Sequence, residues 1–293
     1  MIHHLRITVL MEHRSLRDEL ATEHGFSLWI EADDTNILFD AGQTSAFAEN
    51  AKALGIDLSS ADFIVLSHGH YDHTGGLEAA LEAAPRAQIC LHPEAGLPRF
   101  SHPPGLPMRT IGMAFSTRNA LQTRSVQACS QPEQIRKGIW ITGPIPRLHP
   151  IEHPQQAFSR DEQGLEPDLF QDDLALVIQS ISGNVILTGC CHAGVANTLQ
   201  QARRITGDNR CVLLAGGLHL VRANEDQVLS VLDTLREVDV QTVLSGHCTG
   251  CEAENVLGAI RRQTGPGPLK GLLKVGSIWE MGPEGIARLD PRG

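Results

Sequence analysis

LSHGHYDHTGG, residues 66–76, places three histidines and one carboxylate within the six positions His68 to His73. Residues two apart on an extended chain project to the same side, so His68 and His70 share a direction. A turn after them folds Asp72 and His73 back toward the same point. Imidazole and carboxylate are donors that zinc and similar first-row metals accept. A histidine-rich surface loop that binds nothing would have to hold these groups together against their mutual repulsion. A structural zinc favours a closed, cysteine-rich shell, and the cluster contains no cysteine. The preceding residues, Phe63–Leu66, form a short apolar run that suits a strand buried on both faces. The cluster thus falls at the C-terminal edge of a strand, where open sheets host ligands. Thr74-Gly75-Gly76 lets the chain turn sharply into a helix over Leu77–Ala84, which Pro85 stops.

The same arrangement recurs three times downstream. Val185–Leu187 leads into Thr188-Gly189-Cys190-Cys191-His192, Val212–Leu214 into Gly216-Gly217-Leu218-His219, and Thr242–Leu244 into Ser245-Gly246-His247-Cys248. Each short apolar run can deliver a side chain to one sheet edge. We therefore expect His192 and His247 to be further metal ligands, and His219 to be a ligand or a substrate contact. Cys190 is either a ligand, since a thiolate binds such metals well, or a small apolar filler. Cys248 and Cys251 have C-x-x-C spacing but neither a thioredoxin-like context nor a second pair. Asp40, in LFDAGQ, can cap a turn or orient a metal-bound histidine through its other ring nitrogen. His24 precedes a strand and can border the pocket. Arg147, closing TGPIPR, can bind a carboxylate or phosphate.

Around these motifs the first third alternates strands (Arg6–Met11, Phe26–Ala32, Asn36–Phe39, Gln88–Leu91) with a helix over Thr44–Leu54. Eleven of the sixteen prolines lie between Pro93 and Pro167, which predicts extended loops with few short elements, such as Gly138–Thr142. Regular alternation returns with strands from Leu174 onward and helices over Gly194–Ile205, Glu225–Val238 and Ala253–Thr264. The net charge of −10 disfavours phosphate backbones, so we expect no nucleic-acid partner. No apolar stretch approaches the ~20 residues a membrane helix needs, and we expect no membrane association. Seven cysteines, an odd number with two adjacent, suit a reducing cytoplasm better than a disulfide framework. The sequence carries no signal of oligomeric state.

LSHGHYDHTGG resembles the signature of the metallo-β-lactamase superfamily. Further segments, among them EHGFSLWIE, NILFDAGQ, GIWITGPIPR, LTGCCHAGVANTL, LLAGGLHL and SGHCTG, resemble one branch of it. That branch is the 7,8-dihydropterin-6-yl-methyl-4-(β-D-ribofuranosyl)aminobenzene 5′-phosphate synthase-like one. The resemblance runs from about Glu23 to Gly250. It implies an α/β fold, a four-layer αβ/βα sandwich over residues 1–293, with about 93–167 as a loop-rich insertion over the site. It also implies a metal centre of His68, His70, Asp72, His73 and His247, with either one tightly held ion or an altered second site using Cys190 or His192; the metal is one or two Zn2+, with iron, manganese or magnesium as alternatives. A typical member carries another His ligand before the later strands and an Asp, in TGD, that bridges two metals. Here Asp172 and Asp173 stand in the first region, and the second reads Thr188-Gly189-Cys190.

Three functions follow as expectations. One is a hydrolase acting on a small ester, amide or phosphoester, with Asp72 orienting the nucleophile. A second is a dihydropterin-dependent transferase that releases diphosphate. A third is a metal-containing sensor that binds a small molecule without turnover.

Overall fold

The alternation along Ser27–Ala32 shows how the layers are built. Leu28 and Ile30 point into one buried cluster and Trp29 into another, because successive strand side chains face opposite ways. Both faces of the strand are therefore apolar, and both must be covered. The computed structural model describes residues 1–152, 157–260, 269–282 and 285–289. Among these, an eight-stranded sheet runs in the order Gly285–Leu289, Ile278–Gly282, Leu5–Met11, Ser27–Ala32, Thr35–Phe39, Phe63–Val65, Gln88–Leu91, Val126–Ala128. A seven-stranded sheet runs Leu269–Leu272, Thr242–Gly246, Cys211–Gly217, Gly183–Thr188, Ala175–Ser180, Ile139–Ile141, Glu133–Arg136.

The two sheets pack face to face through Ile7, Phe26, Leu28, Ile37, Leu176 and Leu187, all fully or almost fully buried. The outer face of the first sheet is covered by the helices Ala46–Ala53 and Leu77–Ala83, through Phe47, Ala51, Leu77 and Ala80. The helices Val195–Thr206 and Glu225–Glu237 cover the second sheet with Leu199, Val228, Leu232 and Leu235. Fully burying one such aliphatic side chain contributes about 1.5–3 kcal/mol. The layers are thus helix, sheet, sheet, helix: an α/β architecture of two mixed sheets flanked by helices.

Strand direction places the chemistry. Thr35–Phe39, Phe63–Val65 and Gln88–Leu91 are mutually parallel, as are Gly183–Thr188, Cys211–Gly217 and Thr242–Gly246. Just past their C-terminal ends come Asp40, His68, Cys190, His219 and His247.

The proline-rich middle is more ordered than expected from composition. It holds the helix Phe115–Gln122, and its proline-free stretches Val126–Ala128, Glu133–Arg136 and Ile139–Ile141 extend the two sheets. Proline is tolerated between edge strands but not inside central ones, so composition alone understated these elements. A small three-stranded sheet, Phe158–Ser159, Phe100–Ser101 and Arg109–Thr110, completes the region. The last predicted helix is described as Cys251–Ile260; residues 261–264 of that expectation lie outside the described residues. No described helix is long and apolar enough to cross a membrane.

Candidate metal centre

The strand Phe63–Val65 ends two residues before Ser67, and the chain then runs extended through His70 into the one-turn helix Tyr71–Thr74. That turn presents Asp72 and His73 beside His68 and His70. All four are buried, His68 and His73 completely. His192 arrives from the second sheet after Gly183–Thr188, and His247 from the end of Thr242–Gly246. Two donor sets result. His68, His70 and His192 form one; Asp72, His73, His247 and Cys190 form the other. Within each set the ligand atoms lie within 4.8 Å of one another. His73 Nε2 stands 3.0 Å from His247 Nε2 and 3.3 Å from Cys190 Sγ, while Asp72 Oδ2 is 3.3 Å from His247 Nε2.

The protonation pattern of the first set fits a cation. Burial pushes His70 down to about 3, and it pushes His68 and His192 well below the usual histidine range. All three rings are therefore neutral at pH 7. The Nε2 atoms of all three are buried without a hydrogen-bond partner among the described residues. Buried nitrogens left unsatisfied are costly unless something accepts their lone pairs. Ser67 Oγ donates to Asp40 Oδ2 at 2.7 Å and faces His68 Nδ1 at 2.9 Å. This network assigns the His68 proton to Nδ1 and leaves Nε2 free to coordinate.

The second set is charged. Although burial opposes it, Asp40 and Asp72 raise His73 to about 9. Asp72 is held well below the usual carboxylate range, because His73 and His247 outweigh the effect of its burial. Burial pushes the Cys190 thiol well up, so its thiolate needs a neighbouring cation. Carboxylate, imidazole and thiolate together suit zinc and its thiophilic neighbours. His192 thus stands where the first set needs a third imidazole. Asp172 and Asp173 are not in either set: Asp172 accepts from Gly69 N at 2.7 Å, and Asp173 from Ala193 N at 2.7 Å.

Behind the ligands lies a rigid support. Asp40 is fully buried, with Oδ1 accepting from Ser67 N at 2.7 Å and Oδ2 bound to His73 Nδ1 at 2.6 Å. Any side chain at Gly189 would overlap Ser67 Oγ, which explains glycine there. Two supporting groups carry no local sequence signal. Glu12, fully buried, accepts the backbone N–H of His247. Arg99, also fully buried, pairs with Asp168 at 2.7 Å and Asp172 at 2.6 Å, bracing the loop at Gly69. An arginine in a proline-rich segment and a glutamate ending a strand look ordinary until the chain is folded. Among described non-glycine residues seven have left-handed φ, and Asp40, Cys191, His219 and His247 are four of them. Strain of this kind collects where function over-determines the backbone.

Five of these donors, His70, Asp72, Cys190, His192 and His247, line an open cleft of about 520 Å3. Phe158, Ile111 and Arg109, all from the proline-rich region, also line it, as do Val221 and Arg222. His24 lies at the mouth, stacked on His247 at 5.1 Å, with Nε2 3.4 Å from Asp72 Oδ2. His219 lines the same cleft with its ring 4.2 Å from that of His192, and it joins Cys190 and His192 in a third donor group. Cys248 Sγ donates to the Cys190 carbonyl at 3.4 Å, and Cys251 takes a hydrogen bond from Arg14 at 3.1 Å. The expectation for Arg147 is corrected. Its guanidinium donates to the Leu169 carbonyl at 3.1 Å and to that of His192, and it lines no part of the cleft. Arg147 holds the backbone behind His192, and its nitrogens are committed to carbonyls rather than to an incoming anion.

A family model described as "Metallo-beta-lactamase superfamily" matches residues 21–172, just over half of the chain. A 7,8-dihydropterin-6-methyl-4-(beta-D-ribofuranosyl)-aminobenzene-5'-phosphate synthase of Methanocaldococcus jannaschii is 29% identical over 269 residues, covering 85% of this chain and 88% of that protein. An uncharacterized protein of the same organism is 29% identical over 249 residues, covering 84% and 91%. Among solved structures, Tm1679, described as a metal-dependent hydrolase of the beta-lactamase superfamily, superposes with a TM-score of 0.78 at 27% identity. That alignment covers 99% of this chain and all of the other.

Proposed function

This chain belongs to the metallo-β-lactamase superfamily, and from that premise we propose that it is a metal-dependent hydrolase of a small ester, amide or phosphoester. The supporting observation is the trio of neutral, buried and unpartnered Nε2 atoms on His68, His70 and His192, set beside a second donor group at the floor of an open cleft. His68, His70 and His192 would hold one ion; Asp72, His73, His247 and Cys190 would hold another. The bound ion would supply Lewis acidity and lower the pKa of a water to about 7.

The protein's own groups do the positioning. Asp40 fixes the His73 ring through Nδ1, so that Nε2 faces the centre. Asp72 Oδ2 lies between the centre and His24 Nε2, which offers a path for a proton to the cleft mouth. Phe158 and Ile111 cover part of the cleft and reduce water access to the substrate. Metal analysis of purified protein, followed by chelation and assay on p-nitrophenyl esters and phosphoesters, tests the reading. Full activity in metal-free protein would overturn it.

A second reading is favoured by the similarity to the dihydropterin-linked synthase across 85% of the chain, and by a cleft roomy enough for two small reactants. The centre would then stabilise a diphosphate leaving group while an aminobenzoate-type amine displaces it. Diphosphate release that requires both a dihydropterin-methyl diphosphate and the amine supports the transferase. Release without the amine supports the hydrolase.

A further inference from the structure

The chain carries a net charge of −10, yet its cleft has the opposite character. Among the described lining residues Asp72 is the only carboxylate, and it belongs to the metal centre. Arg109 and Arg222 are both exposed and both line the cleft. Neither guanidinium forms a hydrogen bond or ion pair with any described residue. Most other arginines with resolved partners are tied to carboxylates or carbonyls, as Arg99, Arg147 and Arg160 are. Two free guanidiniums lining one cavity of an acidic protein invert the local potential and attract anions.

Their placement is fixed by the metal-binding segments themselves. Arg109 lies in the strand Arg109–Thr110; two residues on, the carbonyl of Ile111 accepts Tyr71 N–H at 3.0 Å, and Gly112 bridges to His70. Arg109 is therefore pinned beside the His70–Asp72 turn. Tyr71, the chain's single tyrosine, lines the cleft at the same place. Val221 N–H binds the Cys248 carbonyl at 3.1 Å and so pins Arg222 beside His247. The two arginines line the same cleft, one placed next to the first ligand segment and one next to the last.

We propose that Arg109 and Arg222, with the phenol of Tyr71, form a second anion subsite in the cleft, outside both metal donor sets, so that the substrate carries an oxyanion in addition to its reacting group. The planar guanidinium fork matches the oxygens of either a carboxylate or a phosphate. The subsite rests on the metal-centre reading, because the reacting end must be held by the donor sets. It explains why the loop-rich region contributes a charged strand end as well as apolar cover. The substrate is then a small anionic molecule with two functional ends, rather than a neutral ester.

The test is calorimetric binding to the zinc-loaded protein. Propylphosphonate carries one anionic head. The α,ω-alkane bisphosphonates and ω-phosphonoalkanoates of three to six carbons add a second charge at increasing reach. At the best length the doubly charged compounds should bind about tenfold tighter than propylphosphonate, as one charge-assisted contact implies. That gain, read as the ratio of the doubly charged compound's affinity to that of propylphosphonate, should disappear in the Arg109→Ala/Arg222→Ala double variant, with the thermal midpoint unchanged. It should partly survive in Arg109→Lys/Arg222→Lys, where charge remains but the fork is lost. Whether the phosphonate or the carboxylate series gains more identifies the oxyanion. Equal affinity at every length, or a gain that persists in the double alanine variant, overturns the subsite. The metal reading fails separately, if propylphosphonate binds chelator-treated protein as tightly as the zinc form, and the arginine-dependent gain is still read in that case.

Discussion

Replacing Asp40 by asparagine changes one charge and almost no volume, at a residue that touches neither cleft nor substrate. Its two oxygens serve three buried groups: Ser67 N, Ser67 Oγ and His73 Nδ1, at 2.7, 2.7 and 2.6 Å. An amide can accept through one atom only, so at least one of these donors meets another donor. Losing such an outer partner of a metal-bound histidine commonly costs 10–100-fold in metal affinity, about 1.4–2.7 kcal/mol. The pH profile is more diagnostic than the size. Below about 9 the native His73 holds a proton that the ion must displace. Between pH 9 and pH 7 that competition is worth up to about two decades of affinity. In Asp40→Asn the histidine loses the carboxylate that raised it, and the competition largely vanishes. The affinity deficit of the variant is therefore expected to be greatest at pH 9 and to narrow toward pH 7. Competition with a chromophoric chelator across that range measures it. Proton release in buffers of different ionisation enthalpy checks the cause: native protein should release about one more proton per ion at pH 7 than the variant. A deficit independent of pH, or no deficit, would refute the role assigned to Asp40.

In the metal-free protein, His73 lies at about 9 when folded against about 6.5 when unfolded. Its contribution to stability is fully present below 6.5 and is lost as pH rises through 9, by up to about 3 kcal/mol, which urea titrations at pH 6.5 and 9.5 should show. Cys190→Ser should abolish the thiolate-to-metal charge-transfer absorption of the cobalt-substituted protein, while Cys191→Ser, outside both donor sets, leaves it. Arg99→Ala leaves Asp172 buried without its cation, while Asp168 keeps only Arg160, and should lower unfolding free energy by about 3–5 kcal/mol in denaturant titrations. Gly189→Ala forces a methyl group onto Ser67 Oγ and to 2.9 Å from Asp40 Oδ2, so metal content after purification should fall.

What could be read before folding depended on distance along the chain. His68, His70, Asp72 and His73 are neighbours, so their convergence needs only one turn. His192, His219 and His247 could be anticipated because each follows a short apolar run and a glycine, a pattern visible within ten residues. The sheets were legible for the same reason, since period-two and continuous apolar runs are local. Glu12 and Arg99 were invisible because their partners lie far off: His247 is 235 residues from Glu12, and Asp172 is 73 from Arg99. Arg147 misled for a related reason. A Gly-Pro turn ending in arginine looks the same whether it faces a cleft or the back of His192. The strands Val126–Ala128 and Glu133–Arg136 were hidden by the prolines around them, although they contain none themselves.

The donors come from three distant stretches, around residues 68–73, 190–192 and 247, carried by two different sheets. Ions held by these two sets would fasten the halves of the sandwich together at one end only. No nascent chain can complete either donor set before Cys190 and His192 emerge, and the Asp72 set must also await His247. Metal capture therefore reports that assembly has finished, and resistance to a chelator during refolding should appear last, after the helices and the intersheet core have formed.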